Sequence, residues 1–134
     1  MGSIEAYHQT VKARLIADPL VLEFEIIREI KTSDDGHLRA RLKLDNGERL
    51  EFSEYVRLEG DRIKIISYSF HWSDDKGELI FRWDNAPHYA ELPNYPHHIH
   101  NGIKNEVITG KPMMIVDVLD EIYRIRDTRN SKKE

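Results

Sequence analysis

The chain has 134 residues, a net charge of −4 and no cysteine. This length allows one domain, residues 1–134, with a core of its own, and the absence of cysteine excludes disulfides and thiolate ligands or nucleophiles. The acidic balance argues against a generally basic nucleic-acid coat. Since the sequence has neither an apolar run of roughly 20 residues nor the apolar core of a signal peptide, we predict a cytoplasmic protein without a membrane segment.

Apolar residues recur at helical spacing at the start of the chain, and apolar and polar residues alternate in the part that follows. An amphipathic helix is predicted over about 4–17, where the spaced apolar side chains are Ile4, Tyr7, Val11 and Leu15. Asp18-Pro19 ends this helix, because the residue before a proline avoids the helical region. Asn46-Gly47 is a strong hairpin signal further along. Alternation of period 2 predicts five strands, at about 20–32, 37–44, 48–58, 62–72 and 78–85.

Five strands joined by short turns form an antiparallel meander. Residues 86–111, which follow, are rich in histidine and proline, and we predict a loop there. A second amphipathic helix is predicted over about 112–127, with Pro112 in its first turn. The predicted fold class is therefore α+β: a single five-stranded antiparallel meander sheet with an N-terminal and a C-terminal helix packed on it.

The last hairpin of this sheet brings polar and aromatic residues together. Pairing about a turn at 73–77 would set Tyr68 opposite Arg82, and would place Trp72 and Asp84 on the same face. A face that mixes aromatic rings with an arginine and an aspartate suits a binding site. Two alternatives stay open: an aromatic ladder packed in the core beside an ordinary ion pair, and a one-residue slip that would exchange the faces.

His98 and His100 are the first candidates for catalysis, because residues two apart in an extended chain project to the same side. One neutral and one protonated imidazole could take a proton from a ribose 2′-hydroxyl and deliver one to the leaving group. Arg82 would stabilise charge on the phosphate, and Asp84 would orient a histidine or hold Arg82. This chemistry needs no metal.

Other uses of the same histidines stay open. His98 and His100 could bind a transition metal, with His88, Asp84 or Glu91 completing the ligand set. They could also be loop histidines that bond to the backbone. His71 is interpreted as structural, because the predicted pairing places it on the face opposite to Arg82.

Three segments resemble the TumE-type toxin family of prokaryotic toxin–antitoxin modules: YSFHW at 68–72, FRWDNAPHYAELPNYPHHIH at 81–100 and VDVLDEI at 116–122. The resemblance extends over about 20–125, and its specific part is 68–100. Tyr89 departs from the pattern, since relatives often carry a second histidine there, and this weakens any mechanism that requires a histidine pair at 88 and 89. The positions marked by the resemblance are Tyr68, Trp72, Arg82, Asp84, Asn85, Pro87, His88, Pro96, His97, His98 and His100.

The resemblance implies a small toxin encoded beside a DNA-binding antitoxin, with ribonuclease activity as the family expectation. It adds Asn85 and His97 as candidate substrate-binding residues, beside Tyr68 or Trp72, which could stack an RNA base. His88 would support the catalytic histidines.

We therefore predict a metal-independent endoribonuclease toxin without a cofactor, whose partners are RNA and a cognate antitoxin. Two rivals stay open, a metal-dependent hydrolase that uses the same histidines and a non-enzymatic module that binds a protein partner. Dimerisation is also left open, since the sheet has no closing element.

Overall fold

Within residues 2–133, which the computed structural model describes, the protein has two helices and seven strands; side chains are described for residues 2–130. The elements in chain order are α1 (Ile4–Ala17), β1 (Val21–Lys31), β2 (Asp35–Leu44), β3 (Arg49–Glu59), β4 (Arg62–Ser73), β5 (Leu79–Asp84), β6 (His98–Asn101), β7 (Glu106–Thr109) and α2 (Ile115–Lys133). The predicted α+β class with two helices is confirmed, and the predicted number of strands is wrong.

All seven strands form one antiparallel sheet in the order β1-β2-β3-β4-β5-β6-β7. The first five match the predicted strands to within about two residues at their ends. The correction concerns 86–111, which contains β6 and β7 rather than a continuous loop. Each of these strands has four residues, too few for alternation to stand out. Gly102 ends β6 where a Cβ atom would lie 2.1 Å from the Leu79 carbonyl oxygen, so only glycine fits.

Each helix begins with a side chain that binds a free backbone N–H group. The Ser3 hydroxyl accepts from the Ala6 N–H group at 3.0 Å and starts α1. The Asp117 carboxylate accepts from the Met114 N–H group at 2.9 Å, and α2 begins at Ile115, three residues after the predicted start. No helix in the described part of the chain is both long and apolar enough to cross a membrane.

Both helices pack on one face of the sheet, which we call the covered face. One hydrophobic cluster joins α1, α2 and the inward side chains of the strands. Burial of this apolar surface is the main favourable contribution to folding. Its fully buried members include Val11, Leu15, Leu38, Phe52, Phe70, Ile115 and Leu119. The opposite face carries polar side chains, and we call it the open face.

The pairing of β4 with β5 differs from the predicted pairing. The observed partners are Phe70 with Trp83 and His71 with Arg82. A register shift follows Trp72, where β5 contains one extra residue before Phe81. Because side chains alternate with period 2, the bulge turns β5 over relative to β4. Arg82 and Asp84 therefore lie on the face of His71, and not on the face of Tyr68 and Trp72 as predicted.

Candidate active site

Two rows of side chains cross the open face from β2 to β7, each row made of directly opposed residues on neighbouring strands. The first row is Arg41, Glu51, His71, Arg82, His100 and Val107. The second row is Arg39, Ser53, Ser69, Asp84, His98 and Thr109. Directly opposed residues lie about 5 Å apart at their Cα atoms. The rows therefore bring the end of β5 together with β6.

Asp84 is the centre of the polar residues at this end of the rows. Its carboxylate is buried, with the residue 2% exposed. Oδ1 lies 2.9 Å from His98 Nε2 and accepts from the Ala86 N–H group at 3.1 Å. Oδ2 accepts from Arg82 Nε at 2.8 Å and lies 3.6 Å from His100 Nε2. We call Arg82, Asp84, His98 and His100 the Asp84 cluster.

The orientation of the His98 ring is set by the backbone. Its Nδ1 lies 2.9 Å from the Pro96 carbonyl oxygen, and since a carbonyl only accepts, Nδ1 carries the hydrogen. The Nε2 atoms of His98 and His100 are both buried, and neither makes a hydrogen bond to any described residue. Buried polar atoms without a partner are uncommon, so these two nitrogens require an explanation.

His71 and His100 lie on either side of Arg82 in the first row. Burial lowers the pKa of both imidazoles, and the guanidinium of Arg82 lowers each further. His71 is the residue that the sequence interpretation missed. The alternation of β4 shows that His71 lies on the face opposite to Phe70 and Trp72. That Arg82 lies on the same face as His71 follows only from the bulge in β5.

Tyr89 packs over the Asp84 cluster from the irregular segment between β5 and β6. Its ring centre is 5.0 Å from that of His98 and 5.8 Å from that of His100. Tyr89 has a φ of 60°, in the left-handed region that residues other than glycine rarely adopt. Such strain is concentrated at functional sites. His88 is exposed and its ring contacts Tyr89, so the structure places His88 outside the Asp84 cluster.

Two residues predicted to bind substrate, Asn85 and His97, make hydrogen bonds within the fold. The Asn85 side chain accepts from the Tyr68 N–H group and donates to the Ile66 carbonyl, both at 2.9 Å. His97 lies with Nδ1 2.8 Å from the Tyr68 hydroxyl, which donates to the Lys111 carbonyl at 3.1 Å. Their polar atoms hold β4 to the segments that flank β5 and β6.

The two aromatic residues predicted to stack RNA bases lie in the core. Trp72 is fully buried and its Nε1 donates to Glu48 Oε1 at 3.1 Å. Tyr68 is 5% exposed and packs against Phe70 on the covered face. Both rings lie on the covered face because β4 pairs there with β3, with Trp72 opposite Leu50 and Tyr68 opposite Glu54. Neither ring presents a face to solvent where a base could stack.

A groove on the open face leads to the Asp84 cluster. Its volume is about 570 Å³, and it is formed by β2, β3 and β4. Arg39, Ser53, Ser69 and His71 contribute to its walls. His71 belongs both to the groove and to the row that contains Arg82, so the groove is continuous with the site.

Fold and site together define a small α+β protein that carries an aspartate–histidine–arginine centre on the open face of an antiparallel sheet. The family model Toxin TumE matches residues 12–128, which is more than half of the chain, and the chain belongs to this family. The sequence resemblance to TumE-type toxins is thereby confirmed, and the match supports a toxin function and suggests an antitoxin partner. The sequence matches no curated protein and no solved structure.

Proposed function

We propose that this toxin is an endoribonuclease that cuts single-stranded RNA at the Asp84 cluster, and that a cognate antitoxin neutralises it. One observation carries the proposal: an arginine held by a buried aspartate lies between two imidazoles at the end of a polar groove. Membership of a toxin family supports the antitoxin partner.

Arg82 is the residue proposed to bind the scissile phosphate. Its Nε donates to Asp84, and its Nη atoms have no hydrogen-bond partner among the described residues. The side chain is 40% exposed, so the free end of the guanidinium reaches solvent. A guanidinium presents paired donors that match two phosphate oxygens. Asp84 thus fixes Arg82 with its phosphate-binding end outward.

His71 is proposed to take part in proton transfer beside Arg82. His98 and His100 were predicted for this role, but His98 is 2% exposed and bonded to the backbone, so RNA does not reach it. In the proposed reaction the ribose 2′-hydroxyl attacks phosphorus, its proton passes to His71, and the bond from phosphorus to the 5′-oxygen breaks. The leaving 5′-oxygen takes a proton from water. Arg82 stabilises the charge that develops on the phosphate oxygens.

The groove supports a single-stranded substrate. From β2 to β6 the rows extend over four strand spacings, about 19 Å, enough for several nucleotides. Hydroxyl, imidazole and guanidinium groups line it, and these bond to phosphate and ribose without reading a base sequence. Glu51 neutralises part of the positive charge, because it lies 2.6 Å from Arg39 and 3.5 Å from Arg41.

The test compares Arg82→Ala with Arg57→Ala, an exposed arginine of β3 that lies outside both rows. Purified full-length proteins are incubated with single-stranded RNA, and the ends of the fragments are analysed. We expect fragments with 2′,3′-cyclic phosphate ends, and a loss of roughly 100-fold to 1,000-fold for Arg82→Ala alone. Equal cleavage by the two variants would overturn the proposal. So would a parent protein that arrests growth but cuts no RNA, an outcome that favours the protein-binding rival.

A further inference from the structure

We propose that Asp84, His98 and His100 bind one divalent transition-metal ion, with zinc as the reference ion. The metal site rests on side-chain geometry, and only its part in RNA cleavage rests on the proposed function. The sequence predicted a metal-free acid–base role for His98 and His100 and left metal binding open as an alternative. The proposal takes up that alternative.

The three candidate ligand atoms are close enough for one ion. One ring nitrogen each of His98 and His100 and one carboxylate oxygen of Asp84 all lie within 4.8 Å of one another. Two ligands held at about 2.1 Å from a zinc-sized ion lie roughly 3.0–3.4 Å apart. Asp84 Oδ1 is 2.9 Å from His98 Nε2 and Asp84 Oδ2 is 3.6 Å from His100 Nε2, both close to this spacing.

The proton positions favour a cation at this point. Because the Nδ1 hydrogen of His98 bonds to the Pro96 carbonyl, the Nε2 atom of the neutral ring carries a lone pair. That lone pair faces a carboxylate oxygen 2.9 Å away, which repels it. Either a second proton on His98 or a metal ion between the two atoms removes the repulsion. His100 Nε2 is a second buried nitrogen that faces the same carboxylate and has no hydrogen-bond partner among residues 2–130. One ion would satisfy both nitrogens.

The groups behind the ligands match those found behind metal ligands in general. A metal-binding histidine commonly donates its other ring N–H group to a backbone carbonyl, as His98 does to Pro96. Metal-binding carboxylates are held by further hydrogen bonds, and Asp84 accepts from Ala86 and from Arg82. The site lies on two neighbouring strands, which fixes the ligands before any ion arrives.

The charge of such a site suits an RNA phosphate. A divalent ion and Arg82 together exceed the single negative charge of Asp84, so the cluster would be positive on the face that meets the groove. When bound, the ion would supply a Lewis acid beside the phosphate that Arg82 contacts.

The test is metal binding by the full chain, purified without a polyhistidine tag and stripped with chelator. Zn²⁺ and Co²⁺ are titrated by calorimetry and by visible absorption of the cobalt form. We expect one equivalent to bind, and binding at least about tenfold weaker in His100→Gln and Asp84→Asn. The matched control is His37→Gln, because His37 is an imidazole of β2 that bonds to Ser53 rather than to the cluster.

Two results would overturn the metal site: no saturable binding to the parent, or equal binding by His100→Gln and His37→Gln. Circular dichroism checks folding, and if Asp84→Asn does not fold, the half-buried His100 decides the question alone. Failure of the proposed function is distinguishable. If the protein binds one metal ion and cuts no RNA, the metal site stands and the proposed ribonuclease function is wrong. If it cuts RNA and binds no metal ion, the ribonuclease function stands and the metal site is wrong.

Discussion

Glu54 and Asp84 are two buried carboxylates of one sheet, Glu54 on the covered face and Asp84 on the open face. Glu54 accepts from the Tyr7 hydroxyl at 2.7 Å and from the Ile115 N–H group at 2.6 Å. Both donors are neutral, and both belong to helices. Asp84 instead faces a guanidinium and two imidazole nitrogens that make no hydrogen bond within the described part of the chain.

The difference separates a carboxylate that holds the fold from one that serves a site. Glu54 ties α1 and the start of α2 to β3, and its bonds leave no group free for a ligand. Asp84 lies among groups that are charged or incompletely bonded, which is costly for stability and useful for binding an anion or a cation.

Exchanging each carboxylate for its amide should affect different properties. Asp84→Asn should lower RNA cleavage at least about 100-fold, because it removes the charge that orients Arg82 and the imidazoles. Glu54→Gln should leave cleavage near that of the parent. Rates are measured on folded protein with a single-stranded RNA. An equal loss in both variants would contradict the contrast.

His71→Ala should lower RNA cleavage roughly 100-fold with little change in the free energy of unfolding, since His71 is only half-buried. His37→Ala is the comparison, because His37 also lines the groove but lies outside the row that contains Arg82, so its loss should weaken RNA binding at most. The pH profile of the cleavage rate should also lose one limb in His71→Ala. If the two variants retain equal activity, His71 has no part in proton transfer.

The contrast also has a signature in the pH dependence of stability. Burial raises the pKa of Glu54 to about 7 from an ordinary value of 4.5, against the hydrogen bonds from Tyr7 and Ile115, which lower it. The folded state therefore binds this proton more tightly than the unfolded state does. The contribution to the free energy of unfolding is fully present below pH 4.5 and is lost as the pH rises through about 7.

Denaturant unfolding of the parent and of Glu54→Gln between pH 4 and 9 measures this contribution. From pH 4 to pH 9 the parent should lose about 3 kcal/mol of stability relative to Glu54→Gln. The glutamine variant is therefore favoured at high pH. A difference that is constant with pH would show that Glu54 ionises as it does in the unfolded chain.

The smallest effect is expected at Tyr68. Tyr68→Phe removes the hydroxyl that joins His97 to the Lys111 carbonyl, and it should cost about 1 kcal/mol of stability. RNA cleavage should stay at the parent level, because the ring lies in the core. A clear loss of RNA affinity without loss of stability would instead restore the substrate-binding role predicted from the sequence.

Local patterns were sufficient for the first part of the fold. Leu38, Ala40, Leu42 and Leu44 are all buried, as the alternation of β2 predicts. The turn at Asn46-Gly47 also occurs, with a φ of 88° at Gly47. These features depend on residues close in sequence, so composition and period are enough to find them.

The errors lie where pairing over a longer range decides the outcome. Nothing in the sequence of β5 marks its extra residue, yet this residue places Arg82 and Asp84 on the face of His71 rather than on the face of Tyr68 and Trp72. Likewise β6 is a strand because it pairs with β5 and β7, whereas its four residues, HIHN, are too few for alternation to mark a strand. The structure does bring Arg82, Asp84, His98 and His100 together, while their roles stay proposals.

The extra residue of β5 has a consequence for how this hairpin tolerates change. Whether Arg82 and Asp84 face the groove or the core depends on whether an odd or an even number of residues separates them from their partners across the turn. Substitutions leave that parity intact, and a single insertion or deletion between Trp72 and Arg82 reverses it. The length of this short segment should therefore be under stricter constraint than its composition, and a library of one-residue insertions and deletions there, scored for toxicity, would measure it.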